Sequence, residues 1–162
     1  MCKWLVADIG VDVNAGTDNG TVPLHFAIWM GHVELVKWLV EFAQCDVNQR
    51  NIHGCNAAHW CAFNGDVDMM IYLFSKGLDF FHINDNRRSP LHKAAVKSNV
   101  EACKWLLDSC GLGYGHMQPD IEGDTPCSLA KSCGNFELMT FLADRYEDLR
   151  KNHLEIATKC SP

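Results

Sequence analysis

The chain has 162 residues, of which 48% are hydrophobic and 21% are charged, and these fractions are close to ordinary globular values. This composition excludes a disordered tail, a collagen-like fibre and a coiled coil. The chain carries 14 Lys and Arg residues against 20 Asp and Glu residues, so its net charge of −6 argues against a protein that holds nucleic acid by its phosphates.

The N-terminal residues and the cysteines bear on the cellular compartment. Residues 1–8 lack the long apolar centre of a signal peptide, and the longest apolar run, residues 69–74, is far shorter than the ~20 residues of a membrane span. The chain has nine cysteines and no Cys-x-x-Cys pair. We therefore predict an intracellular protein, cytoplasmic or nuclear or both, with reduced thiols and with Cys61 and Cys103 buried.

One pattern recurs four times along the chain. Its copies read VPLHFA from Val22, NAAHWC from Asn56, SPLHKA from Ser89 and TPCSLA from Thr125, at spacings of 34, 33 and 36 residues. Each copy is followed by a small or polar pair and then by a second apolar run. The pattern predicts two helices in each unit, and neighbouring units must stack because one helix pair cannot bury its apolar face alone.

The boundaries of eight helices follow from the repeat. Pro23, Pro90 and Pro126 suit a first helical turn, where a backbone N–H has no partner, and Ser89 and Thr125 are residues that cap such a turn. The predicted ranges are 23–30, 33–42, 57–63, 67–76, 90–97, 100–110, 126–133 and 136–143. Residues 142–159 are interpreted as a helical C-terminal cap.

These four units resemble the ankyrin repeat family over residues 1–145. The resemblance implies an all-α ankyrin-repeat solenoid of antiparallel helix pairs with short β-hairpin fingers, forming one domain over residues 1–162. Its predicted parts are a partial repeat 1–14, repeats 17–49, 51–83, 84–110 and 120–145, an enlarged loop 111–119 and a cap 146–162. The chain departs from the family pattern at Ala57 and Ala58, where Pro and Leu are usual, at Arg87, where Gly is usual, and at Ser128, where His is usual.

The predicted core consists of aromatic–leucine pairs at one register. These pairs are Trp38-Leu39, Tyr72-Leu73, Trp105-Leu106 and Phe141-Leu142. Trp4 and Leu5 occupy the same register in a unit that has no first helix, so part of their cover would be missing. The chain is therefore interpreted either as a piece of a longer array or as an array capped by something outside it.

Two alternatives attribute chemistry to the cysteines. One is a zinc site built from His53, Cys55, His59 and Cys61, and the other is a Cys–His nucleophile, for which Cys133 is the first candidate. The structural interpretation is favoured for both. In the family the motif histidine bonds to local backbone, and the repeat places His59 and Cys61 on a buried helix but His53 and Cys55 on a hairpin.

The glycine-rich segment and the Asp-Val-Asn segments each resemble a known functional motif. The glycines of residues 111–115 lack the Gly-Lys-Ser/Thr of a phosphate loop, so this segment is interpreted as a flexible linker loop. Asp46-Val47-Asn48 resembles the ankyrin context in which an oxygen-sensing dioxygenase hydroxylates asparagine, and Asn14 has a similar context. Hydroxylation would make the protein a substrate and not an enzyme.

The resemblance implies a concave groove formed by the finger tips and the ends of the first helices. The finger-tip residues are Asp18, Asn19, Thr21, Ile52, His53, Cys55, Asp85, Asn86, Arg88, Ile121, Glu122 and Asp124. The first-helix ends supply Trp29, Met30, Phe63, Asn64, Val96 and Lys97. We predict that these residues contact a partner, because exposed aromatic and Met side chains are typical of binding hot spots.

A basic cluster lies near the same surface. It consists of Arg87, Arg88, Lys93, Lys97 and Lys104 and is interpreted either as a solvated face or as a site for an acidic partner.

The predicted function is that of a non-enzymatic module that binds a partner protein. It is expected to use no cofactor, to bind neither nucleic acid nor a membrane, and to be monomeric unless its open N-terminal edge self-associates. The alternatives are a regulatory or targeting segment of a larger enzyme or channel, and a thiol or zinc protein.

Overall fold

The computed structural model describes residues 10–159, and the predicted role of Trp4 and Leu5 lies outside that range. All regular secondary structure in the described part is helical. The helices are α1 Pro23–Trp29, α2 Val33–Glu41, α3 Ala57–Asn64, α4 Val67–Ser75, α5 Pro90–Val96, α6 Val100–Lys104 continued by a π-helical turn Trp105–Ser109, α7 Pro126–Ser132 and α8 Phe136–Lys159, with a 3₁₀ turn at Tyr114–Met117. None of the helices among these residues combines the length and apolar character that crossing a bilayer requires.

The helices form four pairs, and the first helix of each pair packs on the first helix of the next. The predicted start of every helix is confirmed, and all ends but two agree within one or two residues. The exceptions are α6, which ends in the π-helical turn, and α8, which runs for 24 residues to Lys159 without the predicted end at residue 143. No Gly or Pro interrupts residues 143–159, and Tyr146 and Leu149 pack against the core, so the helix continues. The repeat boundaries themselves stay predictions.

The π-helical turn accommodates one extra residue. Val67 and Leu78 are 11 positions apart in the second unit, whereas the equivalent residues are 12 positions apart in the first unit, Val33 and Cys45, and in the third, Val100 and Leu112. Both leucines are nevertheless buried, with 2% and 1% exposure. In the third unit a widened helical turn takes up the extra residue, whereas in the first unit it is taken up after α2 ends at Glu41.

Leucines fill the core between adjacent pairs. Those at the predicted register are at most 2% exposed, namely Leu39, Leu73, Leu106 and Leu142. The aromatic residues one position earlier are half-buried and pack at the edge of the core, namely Trp38, Tyr72, Trp105 and Phe141. The prediction is therefore confirmed for the leucines, while the aromatic rings pack against the core but are only half-buried. Successive residues on a helix point about 100° apart, so only one of each pair faces inward fully.

Side chains within the repeated motif secure the start of each first helix. The backbone N–H of Ser89 donates to His92 Nδ1 at 3.1 Å, and that of Val22 donates to His25 Nδ1 at 3.4 Å. Burial lowers the pKa of both imidazoles to about 4, so they are neutral and free to accept these bonds. In the fourth unit Ser128 Oγ accepts from the N–H of Thr125 at 2.9 Å. The expected local bracing by the motif histidine is confirmed.

A five-residue turn precedes the first helix of each unit, and we call these turns, at residues 17–21, 51–55, 84–88 and 120–124, the finger turns. In each, the N–H of the first residue donates to the carbonyl oxygen of the fifth at 2.9–3.0 Å. The predicted β-hairpin fingers are not confirmed, because residues 10–159 contain no strand. Each turn closes within five residues and leaves no room for paired strands.

A single backbone hydrogen bond joins each finger turn to its neighbour. Ile52 N–H donates to Asn19 O at 3.0 Å, Asp85 N–H to His53 O at 3.2 Å and Ile121 N–H to Asn86 O at 3.2 Å. These equivalent bonds hold the four turns in one row. The row fixes the spacing of the side chains that the turns present.

The fourth residue of each finger turn adopts a left-handed conformation. Its φ is +74° at Gly20, +71° at Gly54 and +87° at Gly123, and the third unit places Arg87 there with φ +59°. A non-glycine residue in this region costs about 1–2 kcal/mol. Arg87→Gly is therefore expected to raise the free energy of unfolding by about 1 kcal/mol, measured by urea denaturation.

The matched control for that change is Gly123→Arg. The space around Gly123 is open, since an added Cβ would meet no atom within 4 Å, and this substitution tests the backbone conformation alone. It is expected to lower the free energy of unfolding by a similar amount. Equal stability of Arg87→Gly and the parent chain would contradict the assignment of strain to this position.

The enlarged loop packs against the core. Leu112 and Met117 are each 1% exposed, and Ser89 Oγ donates to His116 O at 2.7 Å. The interpretation of this segment as a flexible linker is therefore wrong. Its apolar side chains are buried, which holds the glycine-containing backbone in place.

Candidate functional site

Aromatic side chains from α1 and α3 form a partly exposed surface beside the finger turns, which we call the aromatic face. It consists of Phe26 and Trp29 from α1 and of Trp60 and Phe63 from α3. Phe26 and Trp29 are 42% and 47% exposed, while Trp60 and Phe63 are half-buried. The rings of Trp29 and Trp60 lie 6.4 Å apart, and His25 stacks on Trp60 at 5.9 Å. The pairing of these helices thus builds a continuous apolar surface from two units.

A small cleft opens at one side of the aromatic face. It has a volume of about 100 Å³ and is lined by Cys55, His59, Trp60, Phe63 and Lys93. Burial lowers the pKa of His59 to about 3, so this imidazole is neutral, and the Cys55 thiol accepts a hydrogen bond from Asn84 Nδ2 at 3.0 Å. The lining is therefore uncharged apart from the lysine.

Two lysines border this cleft without a carboxylate partner. Lys97 Nζ lies 4.6 Å from the centroid of the Phe63 ring, a cation–π contact, and Lys93 is part of the cleft lining. Neither lysine forms an ion pair with any residue in the range 10–159. Lys104, by contrast, pairs with Glu101 at 3.0 Å. The predicted basic cluster therefore divides into neutralised and unpaired cations.

Arg88 joins the third and fourth finger turns through an ion-pair network. Its Nε lies 2.6 Å from Asp120 Oδ2, and its Nη2 lies 2.9 Å from Glu122 Oε2. The Asp120 side chain has no exposed surface, and its Oδ1 also accepts the backbone N–H groups of Glu122 and Asp124 at 2.8 and 2.9 Å. Arg88 is therefore a cross-link between units and not a free cation.

The same carboxylates resemble a metal site by spacing alone. Asp120, Glu122 and Asp124 form the one group of three or more potential ligands found among the described residues. The guanidinium of Arg88 already supplies the positive charge there. No three of His53, Cys55, His59 and Cys61 converge in the described part of the chain, so this geometry does not support the zinc alternative.

The structure separates the predicted contact residues into three classes of exposure. The exposed ones are Asp18, Asn19, Trp29, Met30, Ile52, His53, Asp85, Lys97, Ile121 and Glu122. The half-buried ones are Phe63, Asn64, Asn86, Arg88, Val96 and Asp124. Thr21 and Cys55 are buried, with 4% and 8% exposure, which corrects the expectation that both lie at an open tip. Each is the last residue of a finger turn, where the chain enters the core.

Phe26, Trp60 and Lys93 are absent from the sequence-based set of contact residues. Trp60 and Lys93 line the cleft, and Phe26 occupies the equivalent position in α1. These residues lie three positions before predicted contact residues at the ends of the first helices, namely Trp29, Phe63 and Val96. Residues three apart lie on one helical face. That spacing was the signal that could have identified them.

The cysteines of the described range have a structural environment. Cys61 and Cys103 are 1% and 0% exposed, as predicted, and burial raises the pKa of both thiols, that of Cys103 to about 12. The exposed Cys133 donates its S–H to Val96 O at 3.1 Å. A buried thiol with a raised pKa is a poor nucleophile.

The two asparagines of the Asp-Val-Asn segments bridge consecutive units. Asn48 Nδ2 donates to Gly77 O at 2.9 Å, and its Oδ1 accepts from Asp79 N–H at 2.8 Å. Asn14 Oδ1 accepts from Asp46 N–H at 2.9 Å. These bonds give both residues a structural role, and their hydroxylation stays a prediction.

Comparison with known proteins assigns a family to this architecture. A family model described as ankyrin repeats, in three copies, matches residues 1–84 and 59–153. The two matches together include all four helix pairs except the last six residues of α8. No curated protein matches the chain.

Proposed function

The chain belongs to the ankyrin repeat family, whose repeats are generally protein–protein interaction modules, and we propose that it binds a partner protein along the aromatic face and the adjoining finger turns. The observation that carries the proposal is the exposure of Trp29, at 47%, together with Met30, at 61%. Large apolar side chains gain most from being covered by a partner, and Trp is among the commonest hot-spot residues. The row of finger turns supports this by presenting polar side chains next to the apolar surface.

The proposed role is that of a non-enzymatic adaptor or scaffold. The family is typically non-enzymatic, and the chemistry of the buried thiols and neutral histidines is accounted for by packing and capping. We further propose that the protein acts as a monomer inside the cell, in the cytoplasm, the nucleus or both. Seven free cysteines among residues 10–159, five of them buried, suit a reducing compartment.

The test compares the alanine variant of an aromatic-face residue with that of an exposed aromatic elsewhere. Trp29→Ala is expected to weaken binding to the partner at least tenfold, since truncating a hot-spot residue costs ~2 kcal/mol or more. Its melting temperature should change little, because about half of the side chain is already exposed. Affinity is measured by titration against a partner identified by affinity capture, and melting by circular dichroism.

Phe42 provides the matched control. It is 74% exposed, follows α2, and lies outside the aromatic face. Phe42→Ala should leave both affinity and melting unchanged. Unchanged affinity of Trp29→Ala, with weaker binding by Phe42→Ala, would place the partner on the second helices and reject the proposal.

A further inference from the structure

We propose that the partner segment is acidic and carries an apolar anchor side chain, which enters the cleft beside Trp60 while its carboxylates pair with Lys93 and Lys97. This inference rests on the proposed function, because it specifies the chemistry of whatever the aromatic face binds. It follows from three observations: the size of the cleft, the character of its lining and the state of the two lysines.

The size of the cleft favours one side chain over a small-molecule ligand. Its volume of about 100 Å³ is well below the ~300–1,000 Å³ of sites that enclose a drug-sized molecule or cofactor. Trp60 and Phe63 supply apolar walls, and the neutral His59 adds no charge. A single aliphatic or aromatic side chain of a peptide matches both the space and the lining.

The two lysines add a charge requirement. Both stand beside the cleft, and neither has a carboxylate partner among the described residues, although acidic residues outnumber basic ones in the chain as a whole. Of the carboxylates of the fourth finger turn, Asp120 and Glu122 are engaged by Arg88, and Asp124 accepts a hydrogen bond from Ser128 Oγ. An acidic partner would complete two charge pairs, whereas a basic partner would meet two uncompensated cations.

Nucleic acid would also bring negative charge, but two lysines are too few for it. Phosphate-backbone binding gains its affinity by neutralising several phosphates with Lys and Arg, about 6–10 in a representative case, whereas this chain has a net charge of −6. The apolar cleft would also remain unfilled by a phosphate. An acidic peptide segment satisfies the lysines and the cleft together.

The experiment selects peptides without assuming a natural partner. A displayed library of random 12-residue peptides is panned on the full chain, and the enriched consensus peptide is titrated by fluorescence anisotropy. We expect Asp or Glu next to Leu, Met, Phe or Trp in the enriched peptides. The affinity should fall as salt is raised. Enrichment of basic or uncharged peptides, or of none, would overturn the inference.

Charge reversal tests the named lysines. Lys93→Glu combined with Lys97→Glu should weaken the consensus peptide at least tenfold, and a peptide whose acidic residues are changed to Lys should bind this variant better than the parent chain. Lys37→Glu combined with Lys151→Glu makes the same change of charge on second helices and should have less than a twofold effect. The double Gln variant of Lys93 and Lys97 replaces the Glu variant if reversal lowers the melting temperature.

The outcomes separate this inference from the function on which it rests. If Trp29→Ala abolishes peptide binding while reversal of Lys93 and Lys97 has no effect, the charge requirement is wrong and the aromatic face remains the binding surface. If neither change affects binding, the peptide binds elsewhere and both proposals fail. Loss of affinity in both variants, with unchanged binding by the lysine control, supports both proposals.

Discussion

Arg88→Glu is expected to lower the free energy of unfolding by about 2–3 kcal/mol, which lies between the small contribution of an exposed ion pair and the cost of breaking a fully buried one, because Asp120 is buried but Arg88 is 26% exposed. The Asp120 side chain has no exposed surface, and Arg88 Nε lies 2.6 Å from it. A glutamate at position 88 would bring a further negative charge next to Asp120 and Glu122. Urea denaturation at neutral pH measures the change.

Arg87→Glu makes the same change of charge one residue earlier. Arg87 is exposed and forms no ion pair within residues 10–159, so its replacement should cost less than about 0.5 kcal/mol. Equal losses for the two variants would show that overall charge, and not the Arg88–Asp120 contact, determines stability. Arg88 belongs to the basic cluster considered as a site for an acidic partner, but its ion pair with Asp120 means that the first effect of replacing it is on folding.

The same ion pair predicts a pH dependence. Burial raises the pKa of Asp120, but the hydrogen bond from Arg88 and those from the N–H groups of Asp124 and Glu122 outweigh burial, and the net pKa is lowered. The unfolded chain therefore binds this proton at a higher pH than the folded chain does. The stability from Asp120 is present above the ordinary carboxyl pKa of about 4 and is lost as pH falls through the lowered value. The stability difference between the parent chain and Arg88→Glu should shrink over that acidic range.

Leu106→Ala is expected to cost about 2–5 kcal/mol, the range for removing a large aliphatic side chain from a core. Leu106 has no exposed surface and lies in the core between the third pair and its neighbours. Trp105→Ala should cost about 2 kcal/mol. This is less than the loss of a fully buried Trp would cost, because the Trp105 ring is half-buried against Phe74 and Phe80. Urea denaturation of both variants gives the comparison.

The order of these two losses is the informative result. A larger loss for Trp105→Ala than for Leu106→Ala would mean that the aromatic register forms the core after all. The Phe42→Ala variant again serves as the control, since its ring is 74% exposed and its removal should change stability by less than about 0.5 kcal/mol.

The helices could be predicted from the sequence because the residues that determine them are close together in the chain. Pro23, Pro90 and Pro126 fall in the first turns of α1, α5 and α7, and the periodic apolar residues after them identify which face is buried. Residues 142–159 were also predicted to be helical, and only their continuity with α8 was missed, which the absence of Gly and Pro after residue 143 indicates.

The parts of the site that were missed depend on contacts between units. Arg88 and Asp120 are 32 residues apart, and no local pattern pairs them. The position of Trp60 is the exception, because the helical spacing indicates it locally, but Phe26, Trp60 and Lys93 share no residue type that marks it. Cys55 is buried because its finger turn closes around it, which depends on the turn having five residues and not on the cysteine itself.

The wide turn at Trp105–Ser109 bears on how such a chain tolerates changes in its length. Insertions and deletions in repeat proteins are usually attributed to loops, where added residues leave the helices in register. Here the third unit carries one residue more than the second inside a helix, and Leu112 still reaches the core. A locally widened turn thus lets a helix gain one residue while the apolar residue that follows it keeps its buried position. Proteins with this fold can therefore diverge by gaining or losing single residues within helices, as well as by duplicating whole units.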